Sequence, residues 1–218
     1  GTDPGLSAEF NGGTHMSVED IGVLRSIPGM VIFEPVDQVQ LYKAFPQILE
    51  YEGPMYIRLF RKKPDPIFDE DSYEFDLFKA DTLVEGTDVT LFASGIEVKH
   101  ALDAAEMLKE DGISAEVINV HTIKPIDKSG IIESAKKTGC VVTCENHNIH
   151  GGLGSAVAEV LSEHCPVPIK YIGFNDCFSI VGRTKPLLEK FGMTKNDIYN
   201  KALEVIKMKK KLSVDCWE

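Results

Sequence analysis

Apolar and polar positions follow two alternating periods along most of the chain, short continuous apolar runs and stripes at helical spacing. Gly29-Met30-Val31-Ile32-Phe33-Glu34-Pro35, bounded by Gly and Pro, predicts a buried strand. Residues 37–49 place Val39, Leu41, Tyr42, Phe45 and Leu49 at helical spacing, and 54–61 return to strand. Asp88-Val89-Thr90-Leu91-Phe92-Ala93-Ser94-Gly95 reads as a strand entering a glycine turn. The helix after it carries Val98, Ala101, Leu102, Ala105 and Leu108 inward. Strands at 115–120, 140–144 and 169–172 alternate with helices at 127–137, 153–163, 184–191 and 194–207, of which Leu153, Ala156, Val157, Val160 and Leu161 form the clearest stripe. This alternation predicts an α/β protein of two three-layer units with mostly parallel sheets and right-handed crossovers. The units join around residues 80–87, and no internal repeat is visible.

Composition narrows the function classes. The 218 residues, 43% hydrophobic and 26% charged, suffice for a sizeable core without disulfides or metal. A net charge of -11 argues against general nucleic-acid binding, which needs a basic face. No apolar run approaches a membrane span, and no signal-peptide pattern opens the sequence. Five cysteines at irregular spacing predict reduced thiols and a cytoplasmic setting. Residues 64–81 hold seven acids and two prolines, the look of a solvated loop or linker. Lys207-Met208-Lys209-Lys210-Lys211 reads as a helix terminus where lysines favour the dipole.

Candidate chemistry concentrates in two glycine clusters. Asn11-Gly12-Gly13-Thr14-His15 puts an imidazole at the end of a glycine turn, before a helix over 16–25 with Ser17 as N-cap and Asp20 at capping-box spacing. The plain alternative is an ordinary exposed loop histidine. Glu145-Asn146-His147-Asn148-Ile149-His150-Gly151-Gly152-Leu153-Gly154 lies between a strand end and a helix. There, backbone N–H groups can meet an anion, or the glycines can allow close packing while Glu145, His147 and His150 make surface or subunit contacts. Arg58 and Arg61 point to opposite faces of their strand, so one can reach a cleft while the other is structural. A guanidinium there can fork onto phosphate or carboxylate, or equally form a surface ion pair with the acidic 65–81 stretch. His100 and His121 read as ordinary residues; Arg183 and Lys185 precede a helix and can meet an anion or a partner chain.

Three stretches together resemble the C-terminal half of transketolase. They are Gly12-Gly13-Thr14-His15 with Glu19-Asp20-Ile21 and Leu24 to Met30; Val142 to His147 with Gly151 to Glu159; and Pro186-Leu187-Leu188-Glu189-Lys190-Phe191-Gly192-Met193. Deoxyxylulose-phosphate synthase and the β subunits of 2-oxo-acid dehydrogenases are similar in both domains. The resemblance implies three parts: residues 1–82 as the C-terminal part of a pyrimidine-binding domain, 87–207 as the transketolase C-terminal domain, and 208–218 as a basic tail. It also implies transfer of two-carbon ketol units between sugar phosphates.

In that family the His of the Thr-His pair stands beside the thiazolium and takes part in proton transfer, which falls on His15. A substrate-hydroxyl contact falls on Asn11, where the family has Asp, and a phosphate contact on Arg61. Asp3 occupies roughly the place of an upstream phosphate-binding His, so both departures point to an altered substrate. In the family a Gly-Asp-Gly…Asn motif holds Mg2+ and the diphosphate of thiamine diphosphate, and a glutamate protonates the aminopyrimidine to generate the ylid; this sequence shows neither. The resemblance therefore implies a shared site with an N-terminal diphosphate-binding half, a homodimer, and no activity or cofactor binding by this chain alone. A non-catalytic assembly module is the alternative from another class.

Overall fold

The computed structural model describes residues 3–215. The larger unit is a five-stranded sheet of β5 (Asp81–Val84), β6 (Val89–Ala93), β7 (Ala115–Asn119), β9 (Val141–Asn148) and β10 (Ile169–Phe174). Across the sheet they stand in the order β10-β9-β6-β7-β5. All pair in parallel except β5, which runs antiparallel to β7. Alternation on β6 explains the three layers. Val89, Leu91 and Ala93 join a core with α3 (Glu97–Glu110), α6 (Thr184–Phe191) and α7 (Lys195–Asp215). Phe92 faces the opposite layer of α4 (Lys128–Thr138) and α5 (Leu153–His164).

The smaller unit holds β3 (Val31–Phe33) between β4 (Met55–Ile57), parallel to it, and β8 (Thr122–Lys124), antiparallel. Ile32 packs toward α1 (Asp20–Arg25), while Phe33 packs toward α2 (Gln38–Glu50), again with helices on both faces. A parallel pair, β1 (Asp3–Pro4) with β2 (Met16–Ser17), closes the N-terminal segment. The expected α/β fold of mostly parallel sheets is the one observed. β8 lies beyond the larger unit's β7 in sequence, yet it completes the smaller sheet.

Three local expectations change. The helix expected over 16–25 starts at Asp20, and Ser17 sits in β2 and does not cap it. Asp37 does cap α2, accepting the Gln40 N–H at 2.8 Å, a bond worth about 1 kcal/mol. Along α2, however, Tyr42 and Leu49 stay exposed at 74% and 80%, and of the stripe it is Leu41 that packs, beside Ala44 and Ile48, against Phe33. The acidic stretch after β4 is, as expected, a solvated surface loop, and it is strapped down at several points. Asp37 also accepts the N–H groups of Ile67 and Phe68, Gln47 bonds Phe75 and Leu77, and Leu77 is buried. α7 continues through the lysine run, and Lys209 donates to the Thr138 carbonyl at the end of α4.

Among the described residues no helix is long and apolar enough to cross a membrane, and Cys140, Cys144, Cys165 and Cys177 are free thiols. The side chain of Asp3, and all of Cys216, lie outside what is described.

Candidate functional site

Asn11 to His15 form a tight 3-10 turn, Gly12–Thr14, closed by the His15 N–H on the Gly12 carbonyl at 3.0 Å. The turn satisfies its own polar groups. Asn11 Nδ2 donates to the carbonyls of Glu9 (3.1 Å) and Ala8 (3.4 Å), which leaves Oδ1 as the outward acceptor. Thr14 Oγ1 stands 2.8 Å from His15 Nδ1. The imidazole is exposed, and Nε2 has no partner among the described residues.

A buried guanidinium holds this turn in place. Arg58, 1% exposed, forks onto Asp20 through Nε and Nη2 and donates Nη1 to Glu34 Oε1 at 2.6 Å. Its Nη2 also reaches the carbonyls of Ser17 (3.1 Å) and Asn146 (3.0 Å). Asn146 then clasps the other end of the segment, accepting from Leu6 N and donating to the Pro4 carbonyl. One cation just past β4 and one amide on β9 thus pin residues 4–17 on both sides of His15. Burial works against charge on Arg58, but Glu34 and Asp20 outweigh it and hold the guanidinium firmly protonated. Burial likewise opposes the Asp20 carboxylate, and Arg58 with Tyr56 pulls it below the usual carboxylate range.

The second cluster is closed from inside. Glu145 is fully buried, and its two carboxyl oxygens accept the N–H groups of Leu153 (2.7 Å) and Gly154 (2.8 Å), the opening amides of α5. The chain's own carboxyl group occupies the place where an anion would bind, so the anion-cradle reading fails here. Burial pushes the Glu145 carboxyl up to about 8. His147 is buried too, with Nε2 accepting from Gly22 N at 3.3 Å while Nδ1 donates to the Asn148 carbonyl at 2.6 Å. Burial and the Arg58 charge both lower its pKa, as that neutral tautomer requires. Glu145 and His147 are therefore not surface contacts, and of the three only His150 is exposed. The close-packing half of the reading holds. An added Cβ at Gly152 would overlap Glu145 Oε2, and Gly151, at φ +83°, leaves no room for a side chain against Gly22 of α1.

Arg61 is exposed and lines a cleft of about 190 Å³ with Pro35, Gln38 and Leu41, a cleft that does not include Asn11 or His15. The link between them is indirect, since Lys62 pairs with Glu9, whose carbonyl holds Asn11. The Lys62 hydrogen bond, with the Thr184 N–H, lowers Glu9 to about 2. Glu9 thereby caps α6 directly after Arg183, whose guanidinium lies 5.8 Å over the Phe10 ring. His121 is buried, brought down to about 4 by burial, and His100 lies 3.4 Å from Glu97.

The residues that sequence reasoning missed are Glu34 and Asn146 as framework for the turn. The available signal was a glutamate ending an apolar strand, Phe33-Glu34-Pro35, opposite an arginine-bearing one.

Comparison with known proteins is consistent along the whole chain. Residues 2–65 match the family model "Transketolase, pyrimidine binding domain" and residues 78–198 match "Transketolase, C-terminal domain". The chain is 56% identical over 209 residues to the 6-deoxy-6-sulfo-D-fructose transketolase subunit SqwH of Clostridium sp. (strain MSTE9), covering 96% of this chain and 65% of that protein. It is 40% identical to a subunit of the apulose-4-phosphate transketolase of Phocaeicola vulgatus, covering 95% and 66%. A solved "split gene transketolase, inactive beta4 tetramer" superposes with a TM-score of 0.85 at 40% identity, over 95% of this chain and 65% of that one. The chain thus spans about two thirds of the length of the relatives it matches. With both domain models matched in order over the fold just described, the chain belongs to the transketolase family.

Proposed function

We propose that this chain is the C-terminal portion of a thiamine-diphosphate-dependent transketolase, moving two-carbon ketol units between sugar phosphates together with an N-terminal diphosphate-binding half. The observation that carries the reading is the outward Nε2 of His15, on a turn pinned at both ends by Arg58 and Asn146. A framework that immobilises residues 4–17, orients the imidazole through Nδ1 on Thr14 and leaves Nε2 unengaged fits a group that serves a ligand supplied from outside the chain.

In this reading thiamine diphosphate, when bound, supplies the carbanion chemistry that breaks and remakes the ketol carbon–carbon bond. His15 Nε2 holds or moves a proton at a substrate oxygen. Asn11 accepts a substrate hydroxyl through Oδ1, its amide hydrogens being spent on the turn. Arg61 forks onto the substrate phosphate. In this reading Mg2+ and the cofactor's diphosphate belong to the other half. The chain by itself is then inactive.

Residues 1–82 and 87–207 are its two domains, and 208–218 a basic tail, of which 208–215 belong to α7. Exposed Phe10, Phe178 and Val181, at 61%, 87% and 66%, suit contact with another subunit and support a dimer. The free thiols suit the cytoplasm.

Reconstitution tests this reading. The chain is mixed with a diphosphate-binding partner, thiamine diphosphate and Mg2+, and ketol transfer is assayed. His15→Ala should lower kcat by about a hundredfold to ten-thousandfold, the usual range for a proton-transfer group. An unchanged rate would remove His15 from the chemistry.

A further inference from the structure

The turn that carries His15 is seated with its back on residues 179–182. The Phe10 N–H donates to the Gly182 carbonyl at 2.9 Å, and an added Cβ on Gly12, at φ +67°, would stand 2.6 Å from Val181 Cγ2. Thr14 and His15 are left on the open side, both exposed. Two of the turn's donors are spent within the chain. Asn11 Nδ2 serves the carbonyls of Ala8 and Glu9, and the His15 N–H serves that of Gly12.

The Thr14 hydroxyl has one hydrogen and two contacts. Oγ1 lies 3.4 Å from the Asn11 carbonyl, which can only accept, and 2.8 Å from His15 Nδ1, which accepts or donates according to its tautomer. With the hydrogen turned to Nδ1, oxygen lone pairs would face each other at the Asn11 carbonyl. With the hydrogen on the carbonyl, Oγ1 accepts from Nδ1–H and both contacts are favourable. A hydroxyl that donates on one side also accepts more strongly on the other. This second arrangement keeps the hydrogen of the neutral imidazole on Nδ1 and leaves a lone pair on Nε2, the outward atom.

We infer that Thr14 is a positioning residue that fixes His15 as a proton acceptor, so that the turn offers two bare acceptors, Nε2 and Asn11 Oδ1, to hydroxyl groups of the substrate. The substrate's identity rests on the ketol-transfer reading; the tautomer does not depend on it. In the step assigned to His15, a substrate O–H bond breaks, its electron pair stays on the oxygen, and the proton bonds to Nε2. Nδ1–H remains on Thr14 Oγ1 while the imidazolium exists, and the reverse transfer returns the proton to a substrate oxygen. Neither outward atom carries a hydrogen, so the pair favours a polyol over a phosphate, in keeping with the separate cleft of Arg61.

Nitrogen-15 NMR of the full chain, labelled in histidine, tests the tautomer without any activity, the His15 signals being those lost in His15→Ala. At about pH 8.5, roughly two units above the ordinary histidine value, the parent should carry its hydrogen on Nδ1. Thr14→Val should move it largely to Nε2, and Thr14→Ser should restore the parent pattern. In the reconstituted enzyme Thr14→Val should then lower kcat at least about tenfold while KM changes less than about twofold, with Thr14→Ser again restoring the rate. A parent with its hydrogen on Nε2, or a Thr14→Val chain with the parent's tautomer, overturns the inference and leaves the ketol-transfer reading standing. So does an unchanged kcat in Thr14→Val once its tautomer has moved.

Discussion

The two glycine clusters look alike in sequence, each a run of small residues with a histidine before a helix, and they end in opposite states. In the first, Asn11 to His15, the polar groups of the turn satisfy one another and the imidazole faces outward. In the second, a fully buried carboxyl group caps the helix it precedes, and His147 is locked between two backbone groups. The difference lies in what stands next to the glycines. A glutamate one strand-length ahead fills the helix N-terminus of the second cluster, and the first has no such group. Glycine spacing therefore marks a place where backbone comes close; the neighbouring charges decide whether a ligand is admitted.

Three variants press on that contrast. The largest effect belongs to Arg58, the cation that anchors the first cluster to the second. Arg58→Met leaves Glu34 and Asp20 without their counter-charge and should cost about 3–5 kcal/mol in urea unfolding. A cost near zero would mean that the ion cluster is not what holds the turn. Next is a matched pair of glycine replacements. Gly152→Ala drives a methyl into Glu145 and should cost about 1–3 kcal/mol. Gly13→Ala meets only the Ser179 carbonyl at 3.6 Å and should stay within about 0.5 kcal/mol. Equal costs would erase the distinction between a closed and an open turn.

The smallest effect is a slope with pH. Glu145, raised to about 8, binds a proton in the folded chain that the unfolded chain has already released, so its contribution is complete below the usual carboxylate range and fades as pH rises through about 8. His100 and Glu97, also raised, act in the same sense. His121, lowered to about 4, acts oppositely, but only below its unfolded value near 6.5. Between pH 6.5 and 8 stability should therefore fall, by at most about 1.4 kcal/mol per unit for the Glu145 proton. Glu145→Gln should flatten that limb without abolishing it. A variant slope as steep as the parent's would show that Glu145 does not carry the proton.

Much of this architecture was legible because strand and helix periods depend on neighbours a few residues apart. The β3, β6, β7 and α5 segments needed nothing more than an apolar run or stripe. The errors arose where distant partners decide. Short β5 and β8 carry little apolar signal and exist because β7 and β3 offer them edges. Ser17 failed as a cap because β1 draws it into a strand pair. Tyr42 and Leu49 belong to a helical stripe and yet stay exposed. The site divided in the same way: the turn bearing His15 is a local motif, whereas Arg58 reaches Asn146 across 88 positions, a pairing that no window of sequence displays.

The late arrival of β8 also sets an order of assembly. β3 waits for a strand about 90 residues further along the chain before its sheet is complete. Closing so long a loop is slow relative to forming local helices. As a nascent chain leaves the ribosome, the segment carrying His15 can therefore gain its final frame only after residue 124, and its clasp on Asn146 only later still. Unlike a protein whose first domain matures while the second is being made, this one needs residues from within its second unit to complete the first, and a ribosome stalled near residue 100 would display an unfinished sheet.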